Sequence, residues 1–143
     1  MRQEWKRHAL GEEENNMRKI IEVPYIDQSV SYPTGCESVS ATMLLQYLGY
    51  EITVDEFIRN YVPCVPMQER DGQLYGPDPR KAFCGSPYDK DSFGCYAPVI
   101  CEALQKAVGD KYRVVDETGT SMQELIQRYI DREMPVVFWA CID

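Results

Sequence analysis

The sequence predicts an α+β fold in one domain. Four stretches carry helical apolar spacing or a helix-capping pattern, and three short apolar stretches are typical of extended segments. At 143 residues, with 44% apolar and 27% charged, the chain is long enough to bury a core. We expect residues 1–17, which carry few apolar side chains, to form a mobile charged leader, and residues 18–143 to form the folded domain.

The charge balance argues against a nucleic-acid partner. With 23 acidic against 15 basic side chains the formal net charge is −8, so a polyanion would be repelled. No stretch approaches the roughly 20 apolar residues that a membrane helix needs, and the charged N-terminus lacks the apolar centre of a signal peptide. We therefore expect a soluble, cytoplasmic protein without a membrane partner.

Residues 18–26 are predicted to be extended. Pro24 cannot donate a ladder hydrogen bond, which favours an edge position in a sheet. Asp27 is expected to cap a turn, and residues 29–35 are expected to form a loop.

The first helix is predicted over residues 36–48. Its polar residues Ser38, Thr42 and Gln46 recur at every fourth position and leave a wide apolar arc elsewhere, which predicts a mostly buried helix. Gly49 follows the last turn, where a positive φ is needed to end a helix.

Two further helices are predicted to begin at capping boxes, in which a hydroxyl side chain and a glutamate three residues later satisfy each other's backbone N–H groups. These pairs are Thr53 with Glu56, opening a helix to about Tyr61, and Ser121 with Glu124, opening a helix to about Arg132. Between them, residues 97–108 have helical apolar spacing, with Pro98 in the first turn and Gly109 as the stop.

Residues 62–96 are predicted to be irregular, because five prolines and four glycines interrupt them. A loop of this length is typical of a rim, lid or binding surface, and we expect substrate contacts here. Residues 112–116 are predicted to form a strand, as are residues 135–142, whose nearly continuous apolar run indicates burial on both faces with Phe138 and Trp139 in the core.

The chain ends one residue after this last predicted strand. A buried strand normally has a further neighbour, so we expect that a C-terminal part is missing and that the sheet is incomplete. An exposed sheet edge would in turn favour a homodimer formed by strand pairing or exchange.

Six cysteines have irregular spacings and no secretory signal accompanies them, which predicts free thiols rather than disulfides. No paired Cys-x2-Cys or Cys/His cluster is present, so we expect neither a metal nor another cofactor. Five of the six are expected to be packed thiols, namely Cys64, Cys84, Cys95, Cys101 and Cys141.

Cys36 stands apart, because it opens the apolar helix directly after Gly35. Glycine allows a sharp turn into the helix, and the unpaired N–H groups at a helix N-terminus stabilise a thiolate. These features favour a nucleophile over a buried structural cysteine. The only histidine, His8, lies in the charged leader and is expected to be solvent-exposed rather than a general base.

Three stretches around this cysteine, residues 23–28, 32–40 and 47–50, resemble the C39-like family of papain-like cysteine peptidases. The most specific part is a glutamine eight residues before a cysteine that enters an apolar helix. The likeness continues more loosely to residue 142. It implies a papain-like fold in which the N-terminal helix packs on an antiparallel sheet.

The resemblance also implies roles for two residues. Cys36 would be the thiol nucleophile, and Gln28 would form an oxyanion hole together with the backbone N–H of Cys36. The family supplies a histidine base and an Asp or Asn from strands beyond the equivalent of residues 136–139, and this sequence contains neither. We therefore expect hydrolysis of a peptide or amide bond in the family, with this fragment inactive.

Two alternatives remain open at the level of sequence. A papain-like acyl transferase, similar to phytochelatin synthases, would use the same Cys36 but pass the acyl group to another amine. A non-catalytic peptide-binding module is the other alternative, and the missing histidine favours it.

Overall fold

The computed structural model describes residues 19–140, and the leader, His8 and Cys141 therefore lie outside the described residues. All four predicted helices are present. They are α1 (Cys36–Tyr47), α2 (Val54–Tyr61), α3 (Ala97–Val108) and α4 (Met122–Arg128). The fourth helix ends earlier than predicted, because the chain continues as a short 3-10 helix over Ile130–Arg132.

The helix boundaries follow the signals in the sequence. Thr53 and Ser121 each form a complete capping box, with Glu56 and Glu124 respectively. Gly49 adopts a φ of 90° after α1, as predicted. Local side-chain and glycine chemistry therefore sets the ends of these helices.

Helices α1, α2 and α3 pack against one another and enclose the main core. Its largest fully buried side chains are Leu45 from α1, Phe57 from α2, Ile100 from α3 and Phe83 from the loop region between α2 and α3. Within residues 19–140 the α1 helix therefore packs on helices, whereas an antiparallel sheet was expected beneath it.

Helix α1 is mostly buried, as predicted. The polar residues that recur at every fourth position along it do not form a face exposed to water. Ser38 and Thr42 are completely buried, and Thr42 donates its hydroxyl hydrogen to the carbonyl of Ser38 at 2.8 Å. Among the described residues, Ser38 Oγ has no hydrogen-bond partner. The helix is enclosed on several sides, so its polar spacing could not identify a solvent face.

The segment between α2 and α3 is more regular than predicted. It contains β1 (Cys64–Val65), β2 (Gln68–Arg70), β3 (Gln73–Tyr75) and β4 (Phe83–Cys84). β1 and β4 form a parallel pair, whereas β2 and β3 form an antiparallel hairpin. Asp71 and Gly72, both at positive φ, make the hairpin turn. Helices combined with these small sheets confirm the α+β class.

No strand forms at the segments that were predicted to join a sheet, so these predictions are wrong for the part of the chain that is described: residues 19–26, 112–116 and 135–140. A strand needs a neighbouring backbone to pair its N–H and C=O groups, and at Tyr112 and Val114 a side chain takes that place. Gln105 accepts from the N–H of Val114 at 3.0 Å and donates to the carbonyl of Tyr112 at 3.0 Å.

Phe138 and Trp139 are correspondingly not core residues, since 62% of Phe138 and 38% of Trp139 are exposed. None of the helices within residues 19–140 combines the length and apolar character that crossing a membrane requires.

Candidate active site

Cys36 is the first residue of α1 and is exposed. Gly35 precedes it with a φ of −97°, which any residue can adopt, so the expected sharp glycine turn is not what this position requires. A Cβ atom at Gly35 would instead lie 2.9 Å from Cβ of Tyr32 and 3.1 Å from Cβ of Pro87. Glycine is needed because two segments approach the helix entry closely.

Gln28 is held against the same helix entry. Its side-chain amide donates to the carbonyl of Tyr32 at 3.3 Å, and the N–H of Gly35 donates to that carbonyl at 3.0 Å. The N–H of Tyr32 in turn donates to the carbonyl of Gln28 at 2.9 Å. One turn of chain therefore connects the predicted oxyanion donor to the residue immediately before Cys36.

Glu37 is a site residue that the sequence analysis missed. It is only 8% exposed although it is an acidic residue in the first turn of a helix. One carboxylate oxygen accepts from Sγ of Cys36 at 3.3 Å, and the other accepts from the N–H of Cys95 at 2.9 Å. The sequence could have indicated this residue, because Glu37 follows Cys36 directly on a helix that was predicted to be mostly buried.

The thiol of Cys36 is not activated in this arrangement. Desolvation, followed by the negative charge of Glu37 and its hydrogen bond, raises the pKa of Cys36 to about 11. A thiolate beside an ionised carboxylate is disfavoured by like-charge repulsion. Partial desolvation of the sulfur and the neighbouring carboxylate together outweigh the stabilisation that the helix N-terminus was expected to supply.

The turn that carries Cys95 forms the next part of the site. Glu37 accepts from its N–H, and Nε1 of Trp139 donates to its carbonyl at 3.2 Å. Burial, followed by the negative charge of Glu37, raises the pKa of the Cys95 thiol. Trp139 therefore contacts the Cys95 turn, which Glu37 connects to Cys36, and does not lie in the core.

Exposed aromatic side chains flank this turn. Phe93 is 62% exposed and Tyr96 is 43% exposed, and their rings meet edge-on with centroids 6.2 Å apart. Cζ of Arg80 lies 5.9 Å from the ring centroid of Tyr96. These residues belong to the 62–96 segment in which we predicted substrate contacts.

The remaining candidates have structural roles. Asp27 accepts from the N–H of Ser29 at 2.9 Å and caps a turn as predicted, and Asp116 accepts from the N–H of Thr118 at 2.9 Å in the same way. Glu117 accepts from the hydroxyl of Tyr129.

The five described cysteines are free thiols. Cys84 and Cys95 are buried and Cys101 is half-buried, but Cys64 is exposed, so the prediction of a packed thiol is wrong there. Among residues 19–140 no cluster of three or more His, Cys, Asp or Glu side chains is arranged to hold a metal ion.

Comparison with known proteins identifies relatives of this chain. Over 102 residues it is 34% identical to the uncharacterised protein YvpB of Bacillus subtilis (strain 168), a match that covers 71% of this chain and 38% of YvpB. The crystal structure of a Bacillus anthracis protein assigned as a C39-like peptidase has a TM-score of 0.64 and 27% identity. That match covers 76% of this chain and 52% of the other.

The chain thus spans about two fifths of the curated relative and about half of the solved structure. The sequence profile of the Peptidase_C39 like family matches residues 20–142. Because this match covers most of the chain, the protein belongs to the Peptidase_C39 like family and has an α+β papain-like fold.

Proposed function

We propose that this chain carries the nucleophile and the oxyanion donor of a cysteine peptidase that cleaves a peptide or amide bond. The observation that carries the proposal is the exposed thiol of Cys36 at the first position of α1, with Gln28 hydrogen-bonded to the turn that enters the helix. Cys36 would attack the carbonyl carbon and form a thioester as the C–N bond breaks. The leaving amine would take up the proton that the thiol gave to a base, and water would then hydrolyse the thioester.

Gln28 can serve as an oxyanion donor in its present position. The side-chain amide has two N–H donors, and one of them is directed to the carbonyl of Tyr32. The second would be available to the oxygen that becomes negative when Cys36 attacks, together with the backbone N–H of Cys36.

The reaction also requires a base. With a pKa of about 11, the thiol of Cys36 would be ionised in only about one molecule in ten thousand at pH 7. We propose that a histidine other than His8, downstream of residue 143, supplies the base in the whole protein. The greater length of the relatives supports this proposal.

A peptidyl acyloxymethyl ketone, which alkylates a cysteine only after binding like a substrate, would test the proposal. In the whole protein, where the base is present, we expect the probe to label Cys36 in preference to Cys64, the other exposed thiol among the described residues. Gln28→Ala should slow labelling by about tenfold or more, because loss of one oxyanion donor costs enzymes about 10²–10³ in rate.

Gln127→Ala is the matched control, since Gln127 is exposed on α4 and lies outside the 62–96 segment. Equal labelling of Cys64 and Cys36, or identical rates in the Gln28 and Gln127 variants, would contradict the proposed site. In a separate reaction without the probe, the protein should be incubated with a cleavable peptide and an added primary amine. A peptide–amine product would then indicate acyl transfer rather than hydrolysis.

A peptide-binding module without catalysis is the second candidate. The raised pKa of Cys36 favours it, and the exposed rings of Phe93 and Tyr96 could pack against a peptide. Such a module would bind peptides equally well in the wild type and in Cys36→Ser, and would show no probe labelling.

A cytoplasmic location also stays a prediction, consistent with five free thiols.

A further inference from the structure

We infer that Glu37 is a positioning residue that holds the Cys36 thiol in a protonated, inactive resting state and fastens it to the Cys95 turn. The inference rests on the proposed role of Cys36 as the nucleophile. One carboxylate thereby orients the sulfur of Cys36 and positions the Cys95 turn beside it.

The two oxygens of Glu37 have different partners. Oε2 accepts from Sγ of Cys36 at 3.3 Å and Oε1 accepts from the N–H of Cys95 at 2.9 Å. The first partner is on the same helix, whereas the second is 58 positions away in the chain. Glu37 therefore sets the distance between the nucleophile and the turn before α3.

The backbone of this turn is shaped to admit the carboxylate. Gly94 has a φ of 107°, and a Cβ atom there would lie 2.5 Å from Oε1 of Glu37. Only a residue without a side chain permits so close an approach. The contact between Glu37 and the backbone at Gly94 therefore depends on the conformation of both segments, and Glu37 is not a flexible surface side chain.

The negative charge of Glu37 adds to desolvation in keeping the sulfur of Cys36 protonated. Within residues 19–140 no Lys or Arg forms an ion pair with this carboxylate, so its remaining stabilisation comes from hydrogen-bond donors. A protonated thiol is such a donor, and a thiolate is not. Ionisation of Cys36 would remove one donor and place two negative charges in contact.

Other titratable groups surround the same turn. Cys95 lies near the thiols of Cys36, Cys64 and Cys84, which come from α1, β1 and β4. Partial desolvation of the Cys64 sulfur and burial of Cys84 and Cys95 raise the pKa of all three thiols, so they remain neutral at pH 7. Glu37 is therefore the charged group that acts on Cys36.

The experiment is the pH profile of iodoacetamide alkylation at each cysteine, read by mass spectrometry, in the wild type, Glu37→Gln and Glu51→Gln. Glutamine retains an oxygen that accepts from Cys95 and offers an N–H to the sulfur of Cys36. We expect the apparent pKa of Cys36 to fall by at least one unit in Glu37→Gln. The rate at pH 8 should rise about threefold or more, because a less basic thiolate is also a weaker nucleophile.

Glu51→Gln removes the same charge from an exposed position and should leave the profile of Cys36 unchanged. The exposed thiol of Cys64 should react at the same rate in all three proteins. The buried thiols of Cys84 and Cys95 report on folding, since their rapid labelling would show that a variant has unfolded.

An unchanged Cys36 profile in folded Glu37→Gln would overturn the inference. If Glu37→Gln does not fold, the wild type decides: an apparent pKa of Cys36 near or below about 8.5, the value of an ordinary thiol, would also overturn it. A shifted profile without peptidyl-probe labelling would retain the role of Glu37 while rejecting the proposed peptidase, so the two failures are distinguishable.

Discussion

Glu37 and Gly94 make the most demanding contact near the candidate nucleophile. The glutamate is buried and bonded on both oxygens, and the glycine combines a positive φ with a carboxylate oxygen close to where a Cβ atom would be. A substitution at Gly94 would therefore meet two separate obstacles. One is the backbone conformation, and the other is the displaced carboxylate.

Gly72 presents only the first obstacle, the backbone conformation. Gly72 also has a positive φ, of 75°, but a Cβ atom there would meet nothing within 4 Å. We expect Gly72→Ala to lower the free energy of unfolding by about 1 kcal/mol, the usual cost of a positive φ. Gly94→Ala should cost more and should also change the alkylation rate of Cys36. Urea denaturation measures the first effect, and equal costs at both positions would contradict the steric argument.

Ser38 provides a second test at the level of single residues. Its hydroxyl is completely buried and has no partner, so it loses hydration without gaining a hydrogen bond. We expect Ser38→Ala to leave the free energy of unfolding unchanged or to raise it by about 1 kcal/mol. Thr42→Ala, which removes a hydroxyl that donates to a carbonyl, should lower it. A marked loss of stability in Ser38→Ala would indicate a partner for this hydroxyl.

At the level of secondary-structure elements, the two capping boxes should differ in their effect on the molecule. Thr53 caps α2, which buries Val54, Phe57 and Ile58, whereas Ser121 caps α4, which buries only Leu125. We expect Thr53→Ala to lower the global free energy of unfolding by about 1 kcal/mol. Ser121→Ala should chiefly increase hydrogen exchange within α4, because a helix with one buried residue can open locally.

Urea denaturation and amide exchange distinguish these outcomes. Equal global losses for the two variants would mean that α4 unfolds together with the core.

The helices were predictable because caps, glycine stops and apolar spacing act over a few residues. The strands were not, because pairing depends on which distant backbone lies alongside.

At the level of the whole molecule, a homodimer stays a prediction. Residues 134–140 have no strand partner within the described part of the chain, and Phe138 is 62% exposed. We propose that this segment pairs with its counterpart in a second copy. Light scattering should give a mass that rises with concentration, and Phe138→Ser should reduce the rise.

Tyr75→Ser is the matched control for this experiment, since Tyr75 is 49% exposed but lies on the β2–β3 hairpin. A monomer mass at every concentration would contradict the predicted dimer. A dimer weakened only by Tyr75→Ser would place the interface on the hairpin instead.

The sequence by itself determined the α+β class, the four helices with their caps, and the family to which the chain belongs. It also led to the prediction of Cys36, from its position at the helix entry, and of Gln28, from the resemblance to the C39-like family. The chemical state of that thiol was decided only by the tertiary structure. Glu37 contacts both the sulfur of Cys36 and the N–H of Cys95, 58 positions away, and its charge opposes the helix N-terminus. Short-range signals specify helices, whereas the pKa of a side chain depends on every charge and surface that folding brings next to it.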